Sequence, residues 1–221
     1  MRTIVFDLDG TLADTSGDLL AAANSCFKAL GYGEVLTQDQ DAAIALRGGR
    51  AMLTRGFERL GVAASKSDID DQYPVLLDAY DKSIDRLTVL YPGVREAVAR
   101  LKSRGDKVAI CTNKPERLAE KLMSSLGFRS QFDALIGADT LPVRKPDPAP
   151  FFAAVDRAGG VRKRAVLVGD SDTDHKTARA AGVPSILVSF GPAGDDMSLL
   201  DPDALLDSYE ELEAILERVL G

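Results

Sequence analysis

The amino-acid sequence predicts an α/β protein: a doubly wound parallel sheet with a second, smaller, all-helical domain. Short β-branched runs recur along the chain, and each is followed by a longer helical pattern. The runs are apolar throughout rather than alternating, as strands buried on both faces must be, and a parallel sheet covered by crossover helices buries both faces. One long interval breaks this rhythm with helical patterns alone.

Taken in order, the first strand is expected over Arg2–Phe6. Helical patterns then occupy Leu19–Leu30, Gln40–Leu46, Met52–Leu60 and Ile69–Asp81, with no convincing strand among them. After Tyr91-Pro92-Gly93 a helix is expected over Val94–Ser103. Strands follow at Val108–Cys111, Ala134–Ile136, Ala165–Val168 and Ser185–Val188. The expected organisation is a core domain of residues 1–16 and 85–221, with a helical cap domain of residues 17–84 inserted after the first strand. No internal repeat or low-complexity segment interrupts it.

With 221 residues, 45% of them hydrophobic and 28% charged, the chain has a globular composition and can bury a sizeable core. Its formal net charge of −7 repels polyanions, so nucleic acid is not an expected partner and phosphate binding must be local. No apolar stretch approaches the roughly 20 residues that span a bilayer, and the N-terminus runs directly into a strand pattern. A cytoplasmic protein without a membrane partner is expected. Cys26 and Cys111 have neither metal nor redox spacing and read as buried reduced thiols. A single histidine, His175, excludes a multi-histidine zinc site and a histidine-dependent triad.

Chemistry concentrates where strands end. The first continues into Asp7-Leu8-Asp9-Gly10-Thr11, the next into Thr112-Asn113, and a later one into Gly169-Asp170-Ser171-Asp172-Thr173-Asp174. Ligands of open α/β sheets bind outside the carboxyl ends of the strands, so these tips are expected to converge. Carboxylates gathered in one crevice repel one another unless a hard cation compensates, and an oxygen-ligand set of this kind suits Mg²⁺. Asp7 and Asp170 are the candidate side-chain ligands and Asp9 a candidate backbone-carbonyl ligand. A metal-bridged phosphate would let Asp7 attack phosphorus in line, giving an aspartyl-phosphate. Asp9, two residues on, is placed to protonate the leaving oxygen and then to deprotonate the attacking water.

Phosphoryl transfer also needs donors for charge on the non-bridging oxygens. Thr112 offers a hydroxyl, and Asn113 a backbone N–H at a turn whose helix begins near Pro115. Lys145 sits in Arg144-Lys145-Pro146-Asp147-Pro148, where two prolines stiffen the approach to a helix that Asp147 is placed to cap.

These four segments, in this order, resemble the four motifs of the haloacid dehalogenase superfamily, and the resemblance spans nearly the whole chain. The position of the helical insert resembles the phosphoglycolate phosphatase and β-phosphoglucomutase branch. The resemblance implies Asp7 as nucleophile and metal ligand and Asp9 as acid/base. It implies Thr112 and Asn113 as phosphate binders, Lys145 as charge stabiliser, Asp170 as metal ligand and Asp174 as a residue orienting Lys145. Dehalogenases of the superfamily lack the second aspartate of the first motif, so Asp9 favours phosphoryl chemistry.

The expected activity is Mg²⁺-dependent hydrolysis of a small phosphomonoester, 2-phosphoglycolate first, by a monomer or weak homo-oligomer. The alternatives are a β-phosphoglucomutase-like mutase, a pyrophosphatase or another sugar-phosphate phosphatase, and a non-catalytic phosphate-binding protein. Arg47-Gly48-Gly49-Arg50 reads either as a solvated turn or as a contact for the anionic end of a substrate. Asp172 reads as exposed or capping, and His175 as non-catalytic. Lys114, Lys163 and Arg164 read as surface charges.

Overall fold

The computed structural model describes residues 1–191 and 197–221. In chain order the elements are β1 (Thr3–Phe6), β2 (Ala13–Asp14), α1 (Ser16–Ala29), α2 (Gln38–Ala45), α3 (Gly49–Arg59), α4 (Lys66–Lys82), β3 (Val89–Leu90) and α5 (Val94–Ser103). There follow β4 (Lys107–Cys111), α6 (Glu116–Ser125), β5 (Ala134–Ile136), α7 (Ala149–Arg157), β6 (Ala165–Gly169), α8 (Asp172–Ala181), β7 (Ser185–Val188), β8 (Ala204–Leu206) and α9 (Leu212–Leu220). The chain divides into two compact units, one of Met1–Ala13 with Leu90–Gly221 and the other of Asp14–Val89.

In the larger unit the strand order is β5-β4-β1-β6-β7-β8, and every pairing is parallel. This is the doubly wound sheet expected from the apolar strand runs. Ile4, Val5 and Phe6 are completely buried because helices cover both faces of the central strand. Register then places the strand ends together: Phe6 aligns with Ile110 on one side and with Val168 on the other. The residues that follow these three therefore emerge along one edge of the sheet. The sixth strand, β8, is absent from the sequence reading. Ala204-Leu205-Leu206 carries no β-branched residue and is too short to show a period, so only its pairing with β7 defines it.

Cys111 lies in the core between the sheet and α7, and burial pushes its thiol up to about 12, which leaves it unreactive. Cys26 is likewise a buried free thiol. Arg2 and Asp106 form a buried pair beside the start of β1, with the guanidinium 2.6 Å from the carboxylate.

The helical unit contains α1 to α4 and starts at Asp14, whose Oδ1 accepts from Ser16 N at 3.0 Å and opens α1. It ends at Val89 because the buried Asp18 carboxylate collects Leu87 N, Thr88 N and the Thr88 hydroxyl at 2.8–3.1 Å. These contacts tie the returning segment to α1. Gly56 is required where Phe27 crosses α3, since a Cβ there would lie 2.1 Å from the ring. Arg50 stacks over Tyr73 at 4.5 Å and pairs with Asp70, so within this unit its charge already has a partner. Among the described residues no helix is long and apolar enough to cross a membrane.

Candidate active site

After β1 the chain folds tightly around one carbonyl: Leu12 N and Ala13 N both donate to Leu8 O, at 3.0 and 3.1 Å. Gly10 makes this loop possible with φ +80°, a conformation that side-chain-bearing residues rarely adopt. Leu8 is fully buried between Asp7 and Asp9, so its side chain anchors the strand end while the two carboxylates flank it. Asp7 Oδ1 accepts from Leu8 N at 2.7 Å and lies 3.1 Å from Lys145 Nζ.

The tip of β6 supplies the remaining acids. Ser171 caps α8, whose first turn carries Asp174 inward. Both Asp174 oxygens are engaged: Oδ1 takes Lys145 Nζ at 2.6 Å and Oδ2 takes the Ser171 hydroxyl at 2.6 Å. Gly169 allows this approach, because a Cβ there would meet Asp174 Cβ and Cγ at 2.3 Å. Asp170 Oδ1 accepts from the Thr11 hydroxyl at 3.1 Å, and the Thr11 carbonyl accepts from the buried Tyr209 hydroxyl at 2.8 Å. Tyr209 thus braces the first loop from α9's approach segment, far away in sequence.

Asp7, Asp170 and Asp174 each offer a carboxylate oxygen, and these oxygens lie within 4.8 Å of one another. Burial raises the Asp7 carboxyl to about 7; Lys145 opposes the rise, and Asp174 and Asp9 add to it. Burial likewise pushes Asp170 well up, reinforced by the Asp174 and Asp7 carboxylates. Burial alone would lower the Lys145 ammonium, but Asp174 and Asp7 overcome it and hold the group above the ordinary lysine range. Three carboxylates against one ammonium leave two surplus negative charges when all are ionised. A hard divalent cation with oxygen ligands answers both the surplus charge and the donor chemistry, so the residues fit such an ion.

The other expected residues take varied places. Thr112 is buried at the end of β4, with its hydroxyl accepting from Lys114 N at 3.1 Å. Asn113 is exposed, and its side-chain amide donates to Lys145 O at 3.1 Å, linking two of the loops. Glu116 N, the first amide of α6, donates to Asp139 at 2.7 Å and so is not an open anion donor. Asp147 Oδ1 accepts Ala149 N at 2.8 Å, but the residue at the cap position of α7 is Pro148, so Asp147 stands one residue before it. Asp172 is paired with Lys176 at 2.6 Å, and His175 Nδ1 lies 3.0 Å from the Ser185 hydroxyl.

Lys114 corrects the sequence reading. It is not a surface charge: it is buried, and its ammonium lies 2.6 Å from Asp9 Oδ1. Thr11, Ser171, Gly169 and Tyr209 also escaped the list of candidates. The first three adjoin candidate residues in the sequence, which was the available signal, whereas nothing local distinguishes Tyr209.

Similarity to known proteins agrees with this geometry. Residues 4–188 match the family described as haloacid dehalogenase-like hydrolase. The chain is 36% identical to a phosphoglycolate phosphatase of Agrobacterium fabrum over 98% of this chain and 93% of that protein. It is 38% identical to one of Mesorhizobium japonicum over 98% and 96%. A crystal structure of a predicted phosphoglycolate phosphatase from Haemophilus somnus superposes with a TM-score of 0.86 at 25% identity, covering 97% of both chains. On a motif set that converges at one edge of the sheet and a family match over most of its length, this chain belongs to the haloacid dehalogenase-like hydrolases.

Proposed function

We propose that this protein is a phosphatase that hydrolyses 2-phosphoglycolate to glycolate and inorganic phosphate through a phosphorylated Asp7. The observation that carries the reading is the Asp7–Lys145–Asp174 array beside Asp170, in a chain whose relatives are named phosphoglycolate phosphatases. Leu8 N and Lys145 both engage Asp7 Oδ1, so we assign Oδ2 to the attack. The new bond forms between Oδ2 and phosphorus as the bond from phosphorus to the glycolate oxygen breaks, and Asp9 gives that oxygen its proton. Asp9 then takes a proton from water, whose oxygen attacks phosphorus, and the Asp7–phosphorus bond breaks to release phosphate.

Lys145 is the cation for charge on the non-bridging oxygens, with Thr112 and Asn113 as phosphate donors. Asp174 and Asn113 fix its position from its side chain and its backbone. Asp7, Asp170 and the Asp9 carbonyl are the ligands we assign to Mg²⁺, which when bound neutralises the charge that would keep the phosphate away. The inserted helical unit is the part of the chain we assign to selecting the leaving group.

The test is phosphate release from 2-phosphoglycolate beside a panel of sugar phosphates and pyrophosphate, with Mg²⁺ and with chelator. Preference for 2-phosphoglycolate, abolition by chelator and loss in Asp7→Asn are expected. Turnover without such a preference overturns the substrate, and full activity of Asp7→Asn overturns the mechanism.

A further inference from the structure

We propose that Lys114 is a positioning residue for Asp9, holding the acid/base carboxylate at the leaving-group oxygen and out of the metal cluster. The inference rests on the phosphatase reading. Lys114 has a side chain only 4% exposed although lysine is long enough to reach water, and its Nζ sits 2.6 Å from Asp9 Oδ1. Burying an ammonium is costly unless a charged partner compensates. Here the partner is a carboxylate 105 residues away in the chain, and each backbone is separately fixed.

On one side Lys114 N donates to Thr112 Oγ1 at 3.1 Å and Lys114 O accepts from Ala138 N at 2.9 Å. On the other, Asp9 bridges to Ala13, and Gly10 N donates to Ala13 O at 2.9 Å. A pair with both ends anchored resists the rotation that would swing Asp9 toward Asp7. Among the described residues, the carboxylate oxygens that gather within 4.8 Å belong to Asp7, Asp170 and Asp174. Asp9 lies two residues from Asp7, and a freely rotating carboxylate there would compete for the cation.

A positioned acid matters in proportion to how badly the leaving group needs its proton. The test therefore compares kcat/KM, which reports phosphoryl transfer to Asp7, for two esters. One is 2-phosphoglycolate, an alkyl ester with a basic leaving oxygen; the other is p-nitrophenyl phosphate, whose leaving group departs without a proton. Lys114→Gln should lower kcat/KM for 2-phosphoglycolate by about 30-fold, part of the 10²–10⁴ that general acid catalysis supplies. For p-nitrophenyl phosphate the loss should stay under about threefold, because that ester draws little on the acid. Lys114→Arg, which keeps the charge, should recover much of the alkyl-ester rate and serves if the glutamine variant does not fold.

Equal losses on both esters, or no loss on either, overturn the assignment, since a merely structural lysine would not distinguish leaving groups. A wild-type protein inactive on both esters removes the phosphatase reading and this assignment with it. Wild-type turnover with equal losses removes only the role of Lys114.

Discussion

Lys145 donates to Asp174 across 2.6 Å with both side chains almost wholly inaccessible to water, 2% and 1% exposed. The pair spans the first turn of α8 and the loop before α7, and the same ammonium reaches Asp7 at 3.1 Å. A cation in this position is held by one acid while it serves another, which requires Asp174 to stay in place. Removing Asp174 strips the buried ammonium of the nearer of its two carboxylates and leaves Asp7 at 3.1 Å. Asp174→Ala should therefore cost about 1.5–3 kcal/mol of stability, the range for a lost hydrogen bond between charged groups, read from the urea midpoint of the metal-free protein. An unchanged midpoint would mean that Asp7 alone compensates Lys145.

Gly169 should tolerate no side chain. A Cβ at 2.3 Å from Asp174 Cβ and Cγ must push α8 or the β6 tip away. Gly169→Ala is expected to lose about 1–3 kcal/mol, the usual range for overpacking, and to lower turnover as Asp174 shifts from Lys145. Thermal melts and initial rates on the same preparation check both effects.

Metal binding should depend on pH near neutrality. Burial raises Asp7 to about 7, so in the metal-free protein its stability contribution is fully present below the ordinary carboxyl value near 4 and is lost as pH rises through about 7. A cation competes with that proton and is bound more tightly once the proton has gone. The rise in Tm on adding Mg²⁺ should be larger at pH 8 than at pH 6. An equal rise at both would show that Asp7 is already ionised at pH 6.

Arg2 and Asp106 make the opposite prediction on pH. Burial would raise the Asp106 carboxyl, but hydrogen bonds from the Arg2 side chain and backbone outweigh it and hold the group below the usual range. The stability it contributes is present above the ordinary carboxyl value near 4 and is lost as pH falls through the lowered folded value. Asp106→Ala should cost about 3–5 kcal/mol at neutral pH, and its deficit relative to wild type should shrink as acid protonates the wild-type carboxyl. Denaturant midpoints at pH 7 and pH 3 measure the difference.

Tyr209 offers a test remote from the acids. Its hydroxyl braces Thr11 O, and Thr11 in turn donates to Asp170. Tyr209→Phe leaves a buried carbonyl without that donor and should cost about 1–3 kcal/mol, with weaker Mg²⁺ affinity by calorimetry. Unaltered affinity would confine Tyr209 to stability.

How far the site was legible depended on what each residue needed. Asp7, Asp9, Thr112 and Asp170 follow apolar strand runs directly, so local pattern and the convergence of parallel strand ends were enough to group them. Lys145 was found because two prolines flag a stiff loop. Lys114 was misread because a lysine beside a helix start looks the same whether it faces water or a carboxylate. The edge strand β8 was missed for a related reason: three residues carry too little periodicity to stand out.

What the sequence determined on its own was the strand rhythm, the break made by the helical insert, and the acids at the strand tips, since each is written in neighbouring residues. The tertiary structure alone decided that Lys114 meets Asp9 and that Tyr209 meets Thr11, pairs 105 and 198 residues apart. The contact of Asp174 with Lys145, 29 residues earlier, was expected from the family resemblance and from nothing local. Such pairs exist only once neighbouring strands align in register and burial removes water as a competing partner. The strength of an ion pair or hydrogen bond then depends on packing that no local stretch of sequence contains.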